Sequence, residues 1–250
     1  MSVEAFRLKR FVPMLALLLV AASAHAAGMG LRWGSCEGAD NRNFACDGGS
    51  GAEVLVASFS PPAGLGPLTG VAVTGRISAA GSGIPPWWQM AYAGACRKSS
   101  LSVSFTLSDE TECEDPWQGQ AMGGVASYRP DAQGAEFLIA VAVPESMAPS
   151  VSNGRSYAAL KMFINHQRSS GPSSCAGCST PVCITLEKMQ LGQFNHAPHT
   201  EVAPPEIVIT DARSGLGGAG NVVKWQGGTP RCGAGAAKAS TWTELKRIYH

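Results

Sequence analysis

The stretch Leu101-Ser102-Val103-Ser104-Phe105-Thr106-Leu107 decides the fold class. Its odd-numbered residues are apolar and its even-numbered residues are serine or threonine, and such alternation is typical of a β-strand with one buried face. The same period of two recurs in segments that are separated by clusters of glycine, proline, serine and asparagine. These segments are residues 53–59, 71–77, 137–143, 158–164, 182–187, 206–210 and 221–225.

The repeated alternation and the near absence of helical periodicity predict an all-β protein. Many short strands with turn signals between them favour a single β-sandwich, of jelly-roll-like or immunoglobulin-like type. Residues 27–250 are expected to form this one domain, because no internal repeat or long linker divides them. The exception to the β pattern is the C-terminus, where Thr241 and Glu244 fit a capping box and predict a short helix over residues 241–249.

The N-terminus has the pattern of a secretory signal peptide. A basic segment ending at Arg10 precedes an apolar run over residues 11–22, and Ala24 and Ala26 supply the small residues that signal peptidase recognises. Cleavage after Ala26 is expected, so residues 1–26 would be removed. The alternative is an uncleaved membrane anchor, but the apolar run is short of the roughly 20 residues that span a bilayer. We therefore expect a secreted protein, periplasmic or extracellular, with no membrane span after cleavage.

The composition argues against nucleic-acid binding. Lysine and arginine total 19 and aspartate and glutamate total 18, so there is no net positive field to neutralise phosphates. The hydrophobic share of 45% excludes a chain that is disordered as a whole. The 30 glycines and 16 prolines fit turns between many short strands.

All the cysteines lie after the expected cleavage site, and an even number in an exported protein predicts disulfide-stapled loops. They are Cys36, Cys46, Cys96, Cys113, Cys175, Cys178, Cys183 and Cys232. Loop length favours the pairs Cys36–Cys46 and Cys96–Cys113, because each would close a short loop.

The last four cysteines allow several interpretations. They would form either Cys175–Cys178 with Cys183–Cys232, or Cys178–Cys183 with Cys175–Cys232. Cys175 and Cys178 also have the spacing of a redox motif. Together with Cys183 and either His166, or His196 and His199, they would make a zinc site. Disulfides are preferred, because export disfavours reduced thiolates and a strand pattern follows Cys178 where a redox motif needs a helix.

Tryptophans in two cysteine-bearing loops are the best candidates for a contact face. Trp87 and Trp88 follow two prolines that would start a short helical turn, with both rings at its rim. Trp117 lies in the second loop, and Gln89 and Gln118 would add hydrogen bonds. Flat rings stack on apolar sugar faces, so we expect an extracellular glycan, peptide or protein as partner. The competing interpretation, which the sequence favours, is that the rings fill a small core beneath the loops.

An acidic cluster follows the stretch quoted above and consists of Asp109, Glu110, Glu112, Glu114 and Asp115. Carboxylate-rich loops hold Ca²⁺, but the EF-hand spacing with its central glycine is absent, so a solvated acidic turn is the favoured interpretation. Carboxylates such as Glu110, Glu114 or Asp115 near the tryptophans support an alternative function, a secreted hydrolase that acts on carbohydrate or another polymer.

Motifs of catalysis and cofactor binding are otherwise missing. The sequence has no G-x-S-x-G, H-E-x-x-H or P-loop pattern. Residues 215–220 match G-x-G-x-x-G, but a strand pattern follows them where a dinucleotide site needs a helix, so we expect a hairpin loop and no cofactor. The sequence therefore predicts an exported, non-enzymatic binding or surface structural module.

Several short blocks resemble an uncharacterised group of bacterial exported, cysteine-containing proteins. The blocks are Trp33-x-x-Cys36, Asn43-Phe44-Ala45-Cys46, Pro86-Trp87-Trp88, Gly94-Ala95-Cys96-Arg97, Asp115-Pro116-Trp117-Gln118-Gly119, Cys175-Ala176-Gly177-Cys178, and Thr241-Trp242 with Lys246 and Tyr249. They spread over most of the chain that follows the signal. The resemblance implies an exported, cysteine-stapled domain and assigns no activity or site residue.

Overall fold

The computed structural model describes residues 27–81, 83–109, 112–194, 206–210, 220–228 and 232. Within these ranges the chain forms β-strands and two 3-10 turns, Pro86–Trp88 and Glu145–Met147, and no α-helix. The strands are β1 (Gly28–Trp33), β2 (Asn41–Arg42), β3 (Ala52–Ser60), β4 (Leu68–Ala79), β5 (Leu101–Ser104), β6 (Met122–Asp131), β7 (Gly134–Ala142), β8 (Tyr157–Asn165), β9 (Val182–Gln193), β10 (Glu206–Ile209) and β11 (Val222–Trp225). Every segment predicted from alternation contains a strand, and the all-β prediction is confirmed.

Some predictions concern residues outside the described part of the chain. These are the signal peptide at residues 1–26, the C-terminal helix at 241–249, most of the glycine-rich segment at 215–220, and Glu110. Among the described residues, no helix has the length and apolar character that a bilayer crossing requires.

The strands form a β-sandwich of two sheets. The smaller sheet has the order β1-β3-β8-β5, and the larger has the order β2-β11-β9-β4-β7-β6, with β10 also paired to β9. The named strand pairs are antiparallel except β2 with β11. The β-sandwich prediction is therefore confirmed.

Alternation along the strands separates two apolar surfaces of the large sheet. Val71 and Val73 of β4 are fully buried in the main core between the sheets. Ala72 lies between them and points to the other face, where it packs with Leu138 and Ala140 of β7. We call Ala72, Leu138 and Ala140 the outer cluster.

One long side of the sandwich is closed by hydrogen bonds between the sheets. The indole Nε1 of Trp33 in β1 donates to the carbonyl oxygen of Lys224 in β11 at 3.0 Å, and the amide of Leu31 donates to the carbonyl oxygen of Gly220. The opposite side is open. There β5 and β6 are the last strands of their sheets, and no described strand pairs with their outer edges.

The disulfides join distant loops. They are Cys36–Cys113, Cys46–Cys178, Cys96–Cys175 and Cys183–Cys232. The predicted short-loop pairs Cys36–Cys46 and Cys96–Cys113 are wrong, because the packing of the sheets, and not closeness in sequence, brings the sulfurs together. Among the pairs considered for the last four cysteines, Cys183–Cys232 is confirmed. The pairs Cys175–Cys178, Cys178–Cys183 and Cys175–Cys232 are wrong. The redox and zinc interpretations are also wrong, because Cys175 and Cys178 each pair with a distant cysteine. Four disulfides indicate an oxidising compartment.

Candidate functional site

The tryptophans predicted as a contact face are buried. Trp87 and Trp88 have no exposed surface and Trp117 is 2% exposed. The prolines do start a helical turn, but that turn directs both indoles inward: the Trp87 ring stacks on Trp225 with centroids 5.2 Å apart, and the Trp88 ring meets Trp225 edge-on at 5.5 Å. Rings without an exposed face cannot stack on a sugar, so the prediction of a tryptophan contact face is wrong.

A buried arginine holds this tryptophan cluster in place. The guanidinium carbon of Arg97 lies 3.5 Å from the centroid of the Trp87 ring. Its nitrogens donate to the carbonyl oxygens of Gln167 at 2.9 Å, of Trp87 at 2.7 Å and of Asn165. Burial lowers the pKa of Arg97 to about 9, so the side chain remains cationic at neutral pH. The motif residue Arg97 therefore has a structural role.

The two predicted glutamines do not flank a shared binding face. Gln89 is half-buried, and its amide donates to the carbonyl oxygen of Ile84 at 3.4 Å. Gln118 is exposed in a turn, where Asp115 Oδ1 accepts the backbone N–H groups of Trp117 at 2.8 Å and of Gln118 at 3.2 Å.

The acidic cluster is divided among separate contacts. Asp109 pairs with the buried Lys161, and this hydrogen bond lowers the pKa of the Asp109 carboxyl. Glu114 pairs with Arg155, and Asp115 accepts the two backbone N–H groups of its own turn. Each of these three carboxylates therefore has a different partner, and they do not converge on a shared site.

The described carboxylates do not form the ligand cluster that the calcium hypothesis needs, and the hydrolase hypothesis stays a prediction. Glu112 is exposed, and Glu110 lies outside the described residues. Across the part of the chain that the structure describes, no three metal-ligating side chains converge. The tryptophans that would have positioned a sugar beside Glu114 and Asp115 are buried. Asp109 and Glu114, two described members of the acidic cluster, are instead held in ion pairs.

His166 pairs with an acid rather than with the cysteines of the hypothetical zinc site. Its Nδ1 lies 2.8 Å from the carbonyl oxygen of Ser50, and its Nε2 lies 3.2 Å from Oε1 of the buried Glu53. Phe44 stacks on the imidazole with ring centroids 3.9 Å apart. This arrangement ties the loop before β3 to the end of β8.

The contacts of Asp109, Glu114 and Asp115 fasten the crossover, the connection between β5 and β6 whose described residues are 105–109 and 112–121. Cys113 is bonded to Cys36, and the Trp117 indole donates to the carbonyl oxygen of Ala159 at 2.8 Å. Glu114 also forms a parallel bridge with Tyr157 at the start of β8. The crossover therefore continues the edge of β8 beyond the short strand β5, and it is held at several points.

A groove lies where the two ends of the crossover meet the open side. It has a volume of about 370 Å³. One wall is formed by residues 103–106, which end β5 and begin the crossover. The other wall is formed by residues that end the crossover and begin β6: Gly119, Ala121, Met122 and Gly123. None of these residues is charged, and Met122 is 73% exposed. The groove is an uncharged recess between two free strand edges.

The groove end of β6 lacks the features that usually protect an exposed edge. Charged side chains and prolines discourage the pairing of edge strands, and β6 has these only at its far end, in Arg129, Pro130 and Asp131. The near end, residues 122–127, reads Met-Gly-Gly-Val-Ala-Ser. The sequence prediction missed this strand, because the paired glycines and a bulge between Val125 and Ser127 break the alternation.

These features make the open side, formed by the groove and the free edges of β5 and β6, the candidate functional site. Its walls are fixed by the crossover and its backbone groups face outward. Comparison with known proteins adds no constraint on what occupies the groove. No protein-family model matches the chain, and no curated protein matches it significantly.

Proposed function

We propose that this protein is an exported binding module that accepts an extended, uncharged peptide of a partner protein as an extra β-strand along the open side. The observation that carries the proposal is the uncharged groove between the free edges of β5 and β6. An edge strand presents unpaired N–H and C=O groups, and strand addition uses these groups for affinity while alternate side chains give specificity. The signal pattern and the disulfides support an exported location.

The dimensions of the edge set the length of the peptide. Residues 122–127 are free of charge and proline, and at about 3.4 Å per residue they span about 20 Å. Pro130 has no N–H, so a regular ladder ends near it. The site therefore fits about six residues of extended peptide.

The crossover favours binding because it is ordered in advance. Cys113, Trp117 and Glu114 each tie it to another part of the fold. Less conformational entropy is lost when the receptor surface is already held in its bound shape. The buried Trp117 thus contributes to the site by positioning the wall of the groove, although it touches no ligand.

The test uses the disulfide-intact protein and a display library of random decapeptides. We expect enrichment of uncharged peptides with alternating apolar residues. The Met122→Lys variant, which places a charge on the edge, should bind the enriched peptides at least about tenfold more weakly, since a charge discourages strand pairing. The matched control is Met147→Lys, because Met147 is also exposed, at 52%, but lies in a 3-10 turn away from the groove residues.

Three outcomes overturn the proposal. The first is a library that yields no enriched peptide. The second is equal binding by the Met122→Lys and Met147→Lys variants. The third is a dimer of the free protein that dissociates when Met122 becomes lysine, since this result assigns the edge to a second copy of the chain. Backbone N-methylation of an enriched peptide should abolish its binding, because it removes the N–H groups that the ladder needs.

A further inference from the structure

The main core of the sandwich is incompletely covered at the open side. Val103 of β5 and Val125 of β6 pair in their ladders with Met162 and Ile139, and cross-strand partners direct their side chains to the same face of a sheet. Met162 and Ile139 are buried in the main core. Val103 and Val125 therefore also face the space between the sheets, yet both are only half-buried. The apolar interior thus reaches the surface between the two free edges.

The groove lies over this incompletely covered part of the core. Val103, Phe105 and Ala121 line the groove, and all three are half-buried and packed against the main core. The polar side chains in its walls are the uncharged hydroxyls of Ser104 and Thr106. A charged side chain entering the groove would lose hydration without meeting an opposite charge. An apolar side chain would instead extend the cover of the core, and its burial is favourable.

The two walls of the groove offer an added strand different contacts. β5 has only four residues, and just after it the hydroxyl of Ser104 accepts the backbone N–H of Thr106 and turns the chain away. β6 has ten residues, of which 122–127 are free of charge and proline. The longer edge of β6 therefore suits the ladder. A strand paired with β6 directs every second side chain to the core-facing side, where residues 103–106 form the opposite wall.

We propose that Val103 and Phe105 determine the specificity of the site by selecting an apolar side chain at a core-facing position of the bound peptide. This inference rests on the strand addition proposed above and specifies its ligand. The ladder with β6 provides affinity that depends little on sequence, because the backbone groups of all peptides are alike. The contact with Val103 and Phe105 depends on the side chain, since the gain grows with the apolar area that is buried. The partner is thus an extended, uncharged segment with an apolar residue on its core-facing side.

The experiment measures fluorescence anisotropy with labelled decapeptides of threonine, in which one central residue is threonine, leucine, phenylalanine or lysine. Threonine favours strands and carries no charge, so the all-threonine peptide tests the ladder without an apolar contact. With the wild-type protein we expect the leucine peptide to bind about tenfold more tightly than the all-threonine peptide. The lysine peptide should bind no more tightly than the all-threonine peptide, because its charge finds no partner in the groove.

Two variants test whether the groove wall sets this preference. Val103→Thr replaces a methyl group by a hydroxyl and should reduce the preference for leucine to less than about threefold. Phe105→Ala enlarges the groove, so the affinity for the phenylalanine peptide should rise at least about threefold relative to the leucine peptide. Such a change of preference cannot arise from partial unfolding. Val54→Thr is the control and should leave the preference unchanged, because Val54 is a half-buried valine of β3 that does not line the groove.

The outcomes separate this inference from the function on which it rests. If the peptides bind, Met122→Lys weakens them and leucine is not preferred over threonine, strand addition stands and the specificity assignment is overturned. An unchanged order of preference in both Val103→Thr and Phe105→Ala overturns it as well. Library peptides that bind without any apolar residue also contradict it. If none of the peptides binds and the decapeptide library is also empty, both proposals fail.

Discussion

Replacement of Arg97 by methionine tests how the tryptophan cluster is held. The side chain is 2% exposed, and its described polar partners are the carbonyl oxygens of Gln167, Trp87 and Asn165. Methionine fills a similar volume but donates no hydrogen bond. The variant Arg97→Met therefore leaves three carbonyl groups without their donor and removes the cation above the Trp87 ring.

The magnitude follows from opposing contributions. Hydrogen bonds to charged groups contribute about 1.5–3 kcal/mol each, and a desolvated cation–π contact contributes about 2 kcal/mol. Against them stands the cost of burying the charge, which lowers the pKa of Arg97 to about 9 and corresponds to about 5 kcal/mol. The favourable contacts exceed this cost, and we expect Arg97→Met to lower the free energy of unfolding by about 3 kcal/mol.

The assay is urea unfolding under non-reducing conditions, followed by tryptophan fluorescence. Arg155→Met is the control, because Arg155 forms an exposed ion pair with Glu114 and should cost less than about 1 kcal/mol. A loss in Arg97→Met no larger than in this control would refute the reasoning. It would mean that the cost of burying the cation equals the stabilisation that its contacts provide.

Two further predictions concern a disulfide and a buried acid. Joint replacement of Cys46 and Cys178 by alanine should lower the free energy of unfolding by up to about 4 kcal/mol, since their bond spans 132 residues; a loss under about 1 kcal/mol in denaturant titration would contradict this. Burial, aided by Glu136 and Asp131, raises the pKa of Glu187 above that of an ordinary glutamate. The folded chain therefore binds the proton more tightly than the unfolded chain, and stability falls as the pH rises from the ordinary glutamate pKa through the raised one. Glu187→Gln should therefore be more stabilising at pH 7 than at pH 4, and an equal effect at both would count against the assignment.

The strands that follow a simple alternation could be predicted from the sequence, and the strand that carries the site could not. In the quoted stretch the pattern continues to Leu107, but β5 ends at Ser104, whose hydroxyl accepts the backbone N–H of Thr106 at 3.1 Å and turns the chain into the crossover. In β6 the bulge after Val125 reverses the faces of the residues that follow. Prediction from periodicity fails at β6 because the paired glycines and the bulge, which distinguish this edge from a regular strand, break the alternation.

Residue type alone also misplaced the tryptophans. The two prolines correctly predict a helical turn at Trp87 and Trp88. The expectation that both rings lie at the rim of that turn is wrong, because the turn directs both indoles inward onto Trp225. The cysteine pairing failed on similar grounds, since it depends on the packing of the sheets, which loop length does not encode.

The disulfide pattern also determines when the covalent structure can be completed. Cys36 and Cys46 are the first two thiols to be synthesised, yet their partners lie 77 and 132 residues further along the chain. In an oxidising compartment a premature bond between these two neighbours would have to be undone by thiol–disulfide exchange. The bond from Cys183 to Cys232 closes only after β11 has been made. The covalent structure of this protein can therefore be completed only late in its synthesis, and a premature bond between Cys36 and Cys46 would delay it.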